Sequence, residues 1–120
     1  MLAEDNVVNQ KVATHILKKI GYRADLVASG KEVISALQRQ SYDVILMDVQ
    51  MPEMDGLEAT RYILDHWLPN ERPRIIAMTA NAMQGDKEAC LECGMDDYIS
   101  KPIRREELIA ALKKWHKDEV

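Results

Sequence analysis

The stretch Val44-Ile45-Leu46-Met47-Asp48-Val49-Gln50-Met51-Pro52-Glu53-Met54-Asp55-Gly56 sets the reading of the rest of the chain. Val44–Met47 is an unbroken apolar run, too short for a helix and rich in strand formers, which suits a strand buried on both faces as in a parallel sheet. Asp48 follows directly, and Pro52 and Gly56 break regular structure, so the strand ends in a loop. A carboxylate at the C-terminal end of a buried strand stands where open α/β sheets place their ligand sites. Taken alone, Asp48 fits a plain loop-starting or capping residue equally well.

Working outward, the 120 residues suffice for one domain, 1–120, with a single proper core. Hydrophobic residues make up 47% and charged residues 30%, a balance that predicts a soluble globular chain. No apolar run approaches the ~20 residues a membrane span needs. The start, Met1-Leu2-Ala3-Glu4-Asp5, turns acidic too soon for a signal peptide. The expectation is a cytoplasmic domain with no direct membrane contact. A net charge of −4 argues against direct nucleic-acid binding, which needs a basic surface. Cys90 and Cys93 form a C-x-x-C, but inside a helix-like run rather than at a helix start. His15, His66 and His116 offer no zinc spacing, so two buried or half-buried helix thiols are expected.

In chain order, Met1–Ala3 reads as the end of a strand. Val7–Ile20 carries Val8, Val12, Ile16 and Ile20 at helical spacing with Leu17 beside them, Asn6 as N-cap and Gly21 as the stop. Tyr22–Val27 reads as a weakly patterned strand. Ser29-Gly30-Lys31-Glu32 is a capping box opening a helix to about Gln40, with Val33, Ile34 and Leu37 as its buried stripe. After the opening strand and its loop, a helix starts at Asp55 or Gly56, bears Leu57, Tyr62, Ile63 and Leu64, and ends before Pro69. Arg74–Thr79 is a second buried strand, Met83–Cys93 a helix ended by Gly94, Asp97–Ser100 a short strand, and Arg104–Lys117 a last helix with Leu108, Leu112 and Trp115 on one side. Strand and helix alternate five times, which gives a parallel sheet with helices on both faces.

The strand ends then form a pattern. The first strand ends in Glu4 and Asp5, the third in Asp48, the fourth in Thr79 and the fifth in Lys101. In a doubly wound sheet these ends gather at one edge. Singly, each has a plain reading. Glu4 and Asp5 suit the start of a helix, Thr79 a strand-end hydroxyl, Tyr98 a half-buried core aromatic and Lys101 a surface lysine. Together they would leave an acidic cluster without a counter-ion. A hard divalent cation with oxygen ligands resolves this: Mg²⁺ held by Asp5 and Asp48, with Glu4 acting through water. Lys101 and Thr79 then suit the equatorial oxygens of a phosphoryl group on Asp48.

Four segments in this order resemble the receiver domain of two-component response regulators: Glu4-Asp5-Asn6, Met47–Gly56, Met78-Thr79-Ala80-Asn81-Ala82 and Tyr98-Ile99-Ser100-Lys101-Pro102. The wording, with Asn9-Gln10 after the acidic pair, is most like receivers of hybrid sensor histidine kinases. The resemblance implies a flavodoxin-like, doubly wound five-stranded parallel sheet of order 2-1-3-4-5 with five helices. It implies Asp48 as phosphoacceptor from a partner phosphohistidine, and Mg²⁺ held by Asp5, Asp48 and the backbone carbonyl of Gln50, with Glu4 in the outer shell. Thr79 and Lys101 would bind the phosphoryl oxygens, Tyr98 would be the aromatic switch, and Lys101–Pro102 would be cis. Gln50 and Asn81 would border the water path. The implied partners are a histidine kinase or histidine phosphotransfer domain, and the implied signalling and dimer face is helix 4–strand 5–helix 5, about Met83–Lys117.

Such a module catalyses its own phosphorylation without turning over a metabolite, so it is not expected to be an enzyme. A Mg²⁺-dependent aspartyl phosphatase would place a second Asp two residues after the nucleophile, where this chain has Gln50. A flavin or nucleotide binder would be repelled by Glu4-Asp5 and lacks a glycine-rich loop here. One departure stands out: only Met1–Ala3 precede Glu4, against a typical strand of roughly 5–6 residues. Strand one therefore reads as shortened, at a cost in stability but not in the site.

Overall fold

The computed structural model describes residues 1–80 and 87–115. Five parallel strands run β1 (Leu2–Ala3), β2 (Leu26–Val27), β3 (Val44–Asp48), β4 (Arg74–Thr79) and β5 (Asp97–Ser100). They lie in the order β2-β1-β3-β4-β5, as expected. Among the described residues the helices are α1 (Val7–Lys19), α2 (Gly30–Arg39), α3 (Gly56–His66), α4 (Lys87–Cys93) and α5 (Arg105–Trp115). The expected helix start at Met83, the motif residues Asn81 and Ala82, and His116 and Lys117 lie outside the described residues.

Strand side chains alternate between two half-cores, because successive residues of a strand point to opposite faces. Ala3, Ile45, Met47, Ile75 and Ala77 meet Val33, Ile34 and Leu37 of α2, Ala59 and Ile63 of α3, and Cys90 of α4. Leu2, Leu46, Ile76, Met78 and Ile99 meet Ala13 and Leu17 of α1 and Leu108, Ala111 and Leu112 of α5. Leu2, Ile45 and Ile76 are fully buried, each contributing roughly 1.5–3 kcal/mol. Cys90 is buried and Cys93 half-buried, both as free thiols.

Three expectations about local structure are corrected. First, the segment expected as a strand over Tyr22–Val27 is one only at Leu26–Val27. The preceding residues close α1 in a Schellman arrangement: Gly21 (φ 90°) donates its N–H to the Lys18 carbonyl and Tyr22 to the Leu17 carbonyl. Tyr22 and Ala24 then pack against the α1/α5 half-core instead of extending the sheet. Second, the face α1 turns inward is Ala13 and Leu17, flanked by Ile16 and Ile20. Val8 and Val12, although in phase with those isoleucines, are 68% and 41% exposed. Third, the capping box at α2 is offset. Ser29 Oγ accepts from the Glu32 N–H at 3.2 Å, but Glu32 returns its bond to the Ala28 N–H at 2.9 Å, one residue upstream of the N-cap. The capping box that satisfies both N-cap bonds is at α3, between Asp55 and Glu58.

Met1 extends the pairing of the short β1 with β3. The Met1 ammonium donates to the Val44 carbonyl at 2.9 Å, and the Leu46 N–H donates to the Met1 carbonyl at 2.9 Å. Burial drives the ammonium pKa down from 8.0 to about 6, against the attraction of Asp25 and Asp43. The folded state therefore binds this proton less well than the unfolded chain. The contribution of this group to stability is full above pH 8 and is lost as the pH drops toward 6, by at most about 3 kcal/mol. Urea unfolding of the 120-residue chain should show this step, and acetylation of the amino group should flatten it. A step that survives acetylation would assign it to another group.

Candidate functional site

The site forms because β1, β3, β4 and β5 deliver their C-terminal ends to one rim of the sheet. The ladders fix the register: Ala3 pairs with Met47, Asp48 with Met78, and Thr79 with Ser100. Beyond the strands, the Lys101 N–H donates to the Thr79 carbonyl at 2.8 Å, which carries Lys101 over the end of β4. The cis Lys101–Pro102 bond is present as expected.

Carboxylate oxygens of Glu4, Asp5 and Asp48 lie within 4.8 Å of one another. Glu4 and Asp48 are buried and Asp5 is exposed. Lys101 Nζ stands 3.0 Å from Asp48 Oδ2 and 3.1 Å from Glu4 Oε1. Glu4 Oε2 accepts from the Asn6 N–H at 3.1 Å, and Asp48 Oδ1 accepts from the Gln50 N–H at 3.2 Å. Glu4 Oε1 is fully buried and, among the described residues, has no hydrogen bond beyond its ion pair with Lys101. Thr79 is buried at the end of β4 and lines the same cleft of about 480 Å³ as Glu4, Asp5, Asp48, Gln50 and Lys101. Tyr98 lies outside this lining; it is half-buried on β5 and packs against the half-core under α2, α3 and α4.

The electrostatics follow from this crowding. Burial, reinforced by a hydrogen bond with the Glu4 carboxyl and opposed by Lys101, raises the Asp48 pKa from 3.8 to about 6. Burial works against the Lys101 charge, yet its contacts with Asp48 and Glu4 prevail and hold its pKa above the ordinary value. Three acids and one base therefore occupy one pocket with an excess of negative charge. An all-oxygen donor set with a buried carboxylate oxygen facing the cleft fits a hard divalent cation such as Mg²⁺.

The family model of the response regulator receiver domain matches residues 1–113. The chain belongs to the response regulator receiver family. Among solved structures, it is similar to the receiver domain of a sensor histidine kinase from Pseudomonas aeruginosa that carries a magnesium ion in its active-site cleft. That match has 49% identity and a TM-score of 0.86, covering 95% of this chain and 93% of the other. It is similar, at 29% identity and a TM-score of 0.86, to a yeast receiver, that of Ssk1, solved with the histidine phosphotransfer protein Ypd1. There 95% of this chain and 85% of the other are covered. Among curated proteins it is 41% identical to hybrid signal transduction histidine kinase K of Dictyostelium discoideum over 94% of this chain; it spans only 10% of that protein's length. This receiver is thus a phosphoacceptor of two-component signalling, with the five-stranded order expected for the family.

Reading the sequence alone left out the residues that brace the acidic pair. Gln10 Nε2 donates to the Glu4 carbonyl at 2.5 Å, and Asn6 and Asn9 line the cleft. The signal was present in Asn6, Asn9 and Gln10 as polar residues on the first turn after Asp5, but their direction depends on the angle at which α1 leaves β1.

Cation binding at this site competes with a proton on Asp48. Because the pKa is raised, the folded protein holds that proton until the pH passes about 6. The apparent Mg²⁺ dissociation constant should fall about tenfold per pH unit as pH rises toward 6 and flatten above it. Calorimetric titration between pH 5 and 8 tests this; an affinity constant down to pH 5 contradicts it.

Proposed function

We propose that this receiver takes a phosphoryl group from a partner phosphohistidine onto Asp48 in a Mg²⁺-dependent transfer, and that it is a signalling module rather than an enzyme acting on a metabolite. The observation that supports this most directly is the Asp48 carboxylate at the floor of an open cleft, 3.0 Å from Lys101 Nζ. A carboxylate oxygen of Asp48 attacks phosphorus as the P–N bond to the donor imidazole breaks. The bonding pair stays on that nitrogen, which takes up a proton. A loose phosphoryl transition state asks for alignment and charge neutralisation more than for a strong nucleophile.

Lys101 neutralises charge on the equatorial oxygens, and the Thr79 hydroxyl donates to one of them. Asp5, Asp48 and the Gln50 backbone carbonyl hold the cation, with Glu4 acting through water. When bound, Mg²⁺ supplies further charge neutralisation and a template for the phosphoryl oxygens. Tyr98 changes packing as Thr79 shifts toward the new phosphate, which biases the face made by α4, β5 and α5. That face is also the ground for pairing with a second copy. The setting is cytoplasmic; among the described residues no helix is long and apolar enough to cross a membrane.

The partner is a histidine kinase or a histidine phosphotransfer domain, as in the yeast complex. Its histidine reaches Asp48 through the open cleft, which Asn6 and Asn9 line at the start of α1. There Val7, Val8 and Val12 are exposed and offer apolar ground next to the cleft.

Acetyl phosphate with Mg²⁺ should add one phosphoryl group to the wild-type chain and none to Asp48→Asn, read by intact mass. Labelling of Asp48→Asn, or rapid turnover of a phosphate ester, would overturn the assignment. Val8→Asp should leave acetyl phosphate labelling unchanged and slow transfer from a phosphorylated histidine phosphotransfer protein roughly tenfold. Equal slowing with both donors would place Val8 in the chemistry instead of the docking.

A further inference from the structure

We infer that Gly30, on a different element from every residue of the site, is a positioning residue for the cation site, acting through the loop that carries Gln50. This rests on the phosphoacceptor reading above and adds a residue to it.

The loop between β3 and α3 is closed at its base, where the Gly56 N–H donates to the Val49 carbonyl at 2.9 Å. Its near end is tied to the nucleophile by the Gln50 N–H on Asp48 Oδ1. Met51 is buried in the half-core under α2 and α3. At the tip, the Met54 N–H folds back to the Pro52 carbonyl at 2.7 Å, and Glu53 is held at φ 67°. A non-glycine residue in that left-handed region costs roughly 1–2 kcal/mol, so the surroundings must impose it.

What imposes it from outside the loop is α2. The Gly30 N–H, at the first position of that helix, donates to the Met54 carbonyl at 2.8 Å. This N–H is one of the donors a helix start leaves without an intrahelical partner, and it sits at the positive end of the helix dipole. A Cβ on Gly30 would overlap the Met54 carbonyl oxygen outright and lie 2.7 and 2.8 Å from its Cγ and Cβ. Gly30 has no left-handed φ, so its glycine is required by space and not by backbone conformation. In an unconstrained helix, replacing glycine by alanine would be favourable by roughly 0.5–1 kcal/mol. Here the added carbon has to push the loop tip away. The Pro52–Met54 turn carries that displacement to Met51 and Gln50, whose carbonyl belongs to the cation site.

The test is Mg²⁺ affinity by calorimetry together with amide hydrogen exchange. Gly30→Ala should raise the Mg²⁺ dissociation constant about tenfold, the size typical of losing a partner behind a metal ligand. Gly21→Ala, strained at φ 90° but far from the loop, should lower the melting temperature and leave the constant unchanged. In the wild-type protein, saturating Mg²⁺ should slow exchange of the Gly30 amide more than that of the Gly21 amide, because a cation that favours the bonded loop stabilises the bond that holds it. This measurement holds even where Gly30→Ala fails to fold. Unchanged Mg²⁺ affinity in Gly30→Ala, equal weakening in Gly21→Ala, or Gly30 exchange indifferent to Mg²⁺ would each overturn the inference while leaving the phosphoacceptor reading intact. A wild-type chain that binds no Mg²⁺ would overturn both.

Discussion

The structure turns on an unbalanced pocket: the buried carboxyls of Glu4 and Asp48 share the single ammonium of Lys101. Two carboxylates this close to one cation cannot both be comfortably ionised. Burial first, and then the neighbouring Glu4 carboxyl, push the Asp48 pKa up against the pull of Lys101. An ion pair at low exposure stabilises little once desolvation is counted. The arrangement therefore makes poor sense as a device for stability and good sense as a receptacle for further positive charge and for a phosphoryl group.

The sheet places these groups without any of them being neighbours in sequence. β3 and β4 are the long strands, buried throughout except at Arg74, and their ladder fixes Asp48 opposite Met78, so Thr79 stands one step beyond. β1 is held by bonds to both neighbours despite its brevity, which puts Glu4 directly at the rim. Because the two half-cores grip the same strands from opposite sides, the rim is set by packing across the whole molecule.

Much of this was legible in the sequence, for physical reasons. β3, β4 and β5 are bounded by abrupt changes from apolar runs to charged or helix-breaking residues, and the structure gives Arg74–Thr79 and Asp97–Ser100 as read. Glu4, Asp5, Asp48, Thr79 and Lys101 could be brought together from the sequence because each stands at the end of a strand, and strands of one parallel sheet end on one side. What escaped depends on tertiary contact. Tyr22 opens the stretch read as a strand, but its N–H is taken up in capping α1. Val8 and Val12 keep the helical period, yet α1 is rotated so that Ala13 and Leu17 pack inward. Gly30 resembles any helix-start glycine until the carbonyl of Met54 is seen against it.

Glu4 shows how closely folding and chemistry are joined here. One oxygen of its carboxylate accepts the Asn6 N–H at the entry to α1, while the other faces Lys101 across the cleft. An aspartate is a methylene shorter and cannot reach both, and a glutamine keeps the reach but gives up the charge. One carboxylate thus serves as both hinge pin and counter-charge: a change that disturbs how the chain enters its first helix also disturbs the charge balance at the rim.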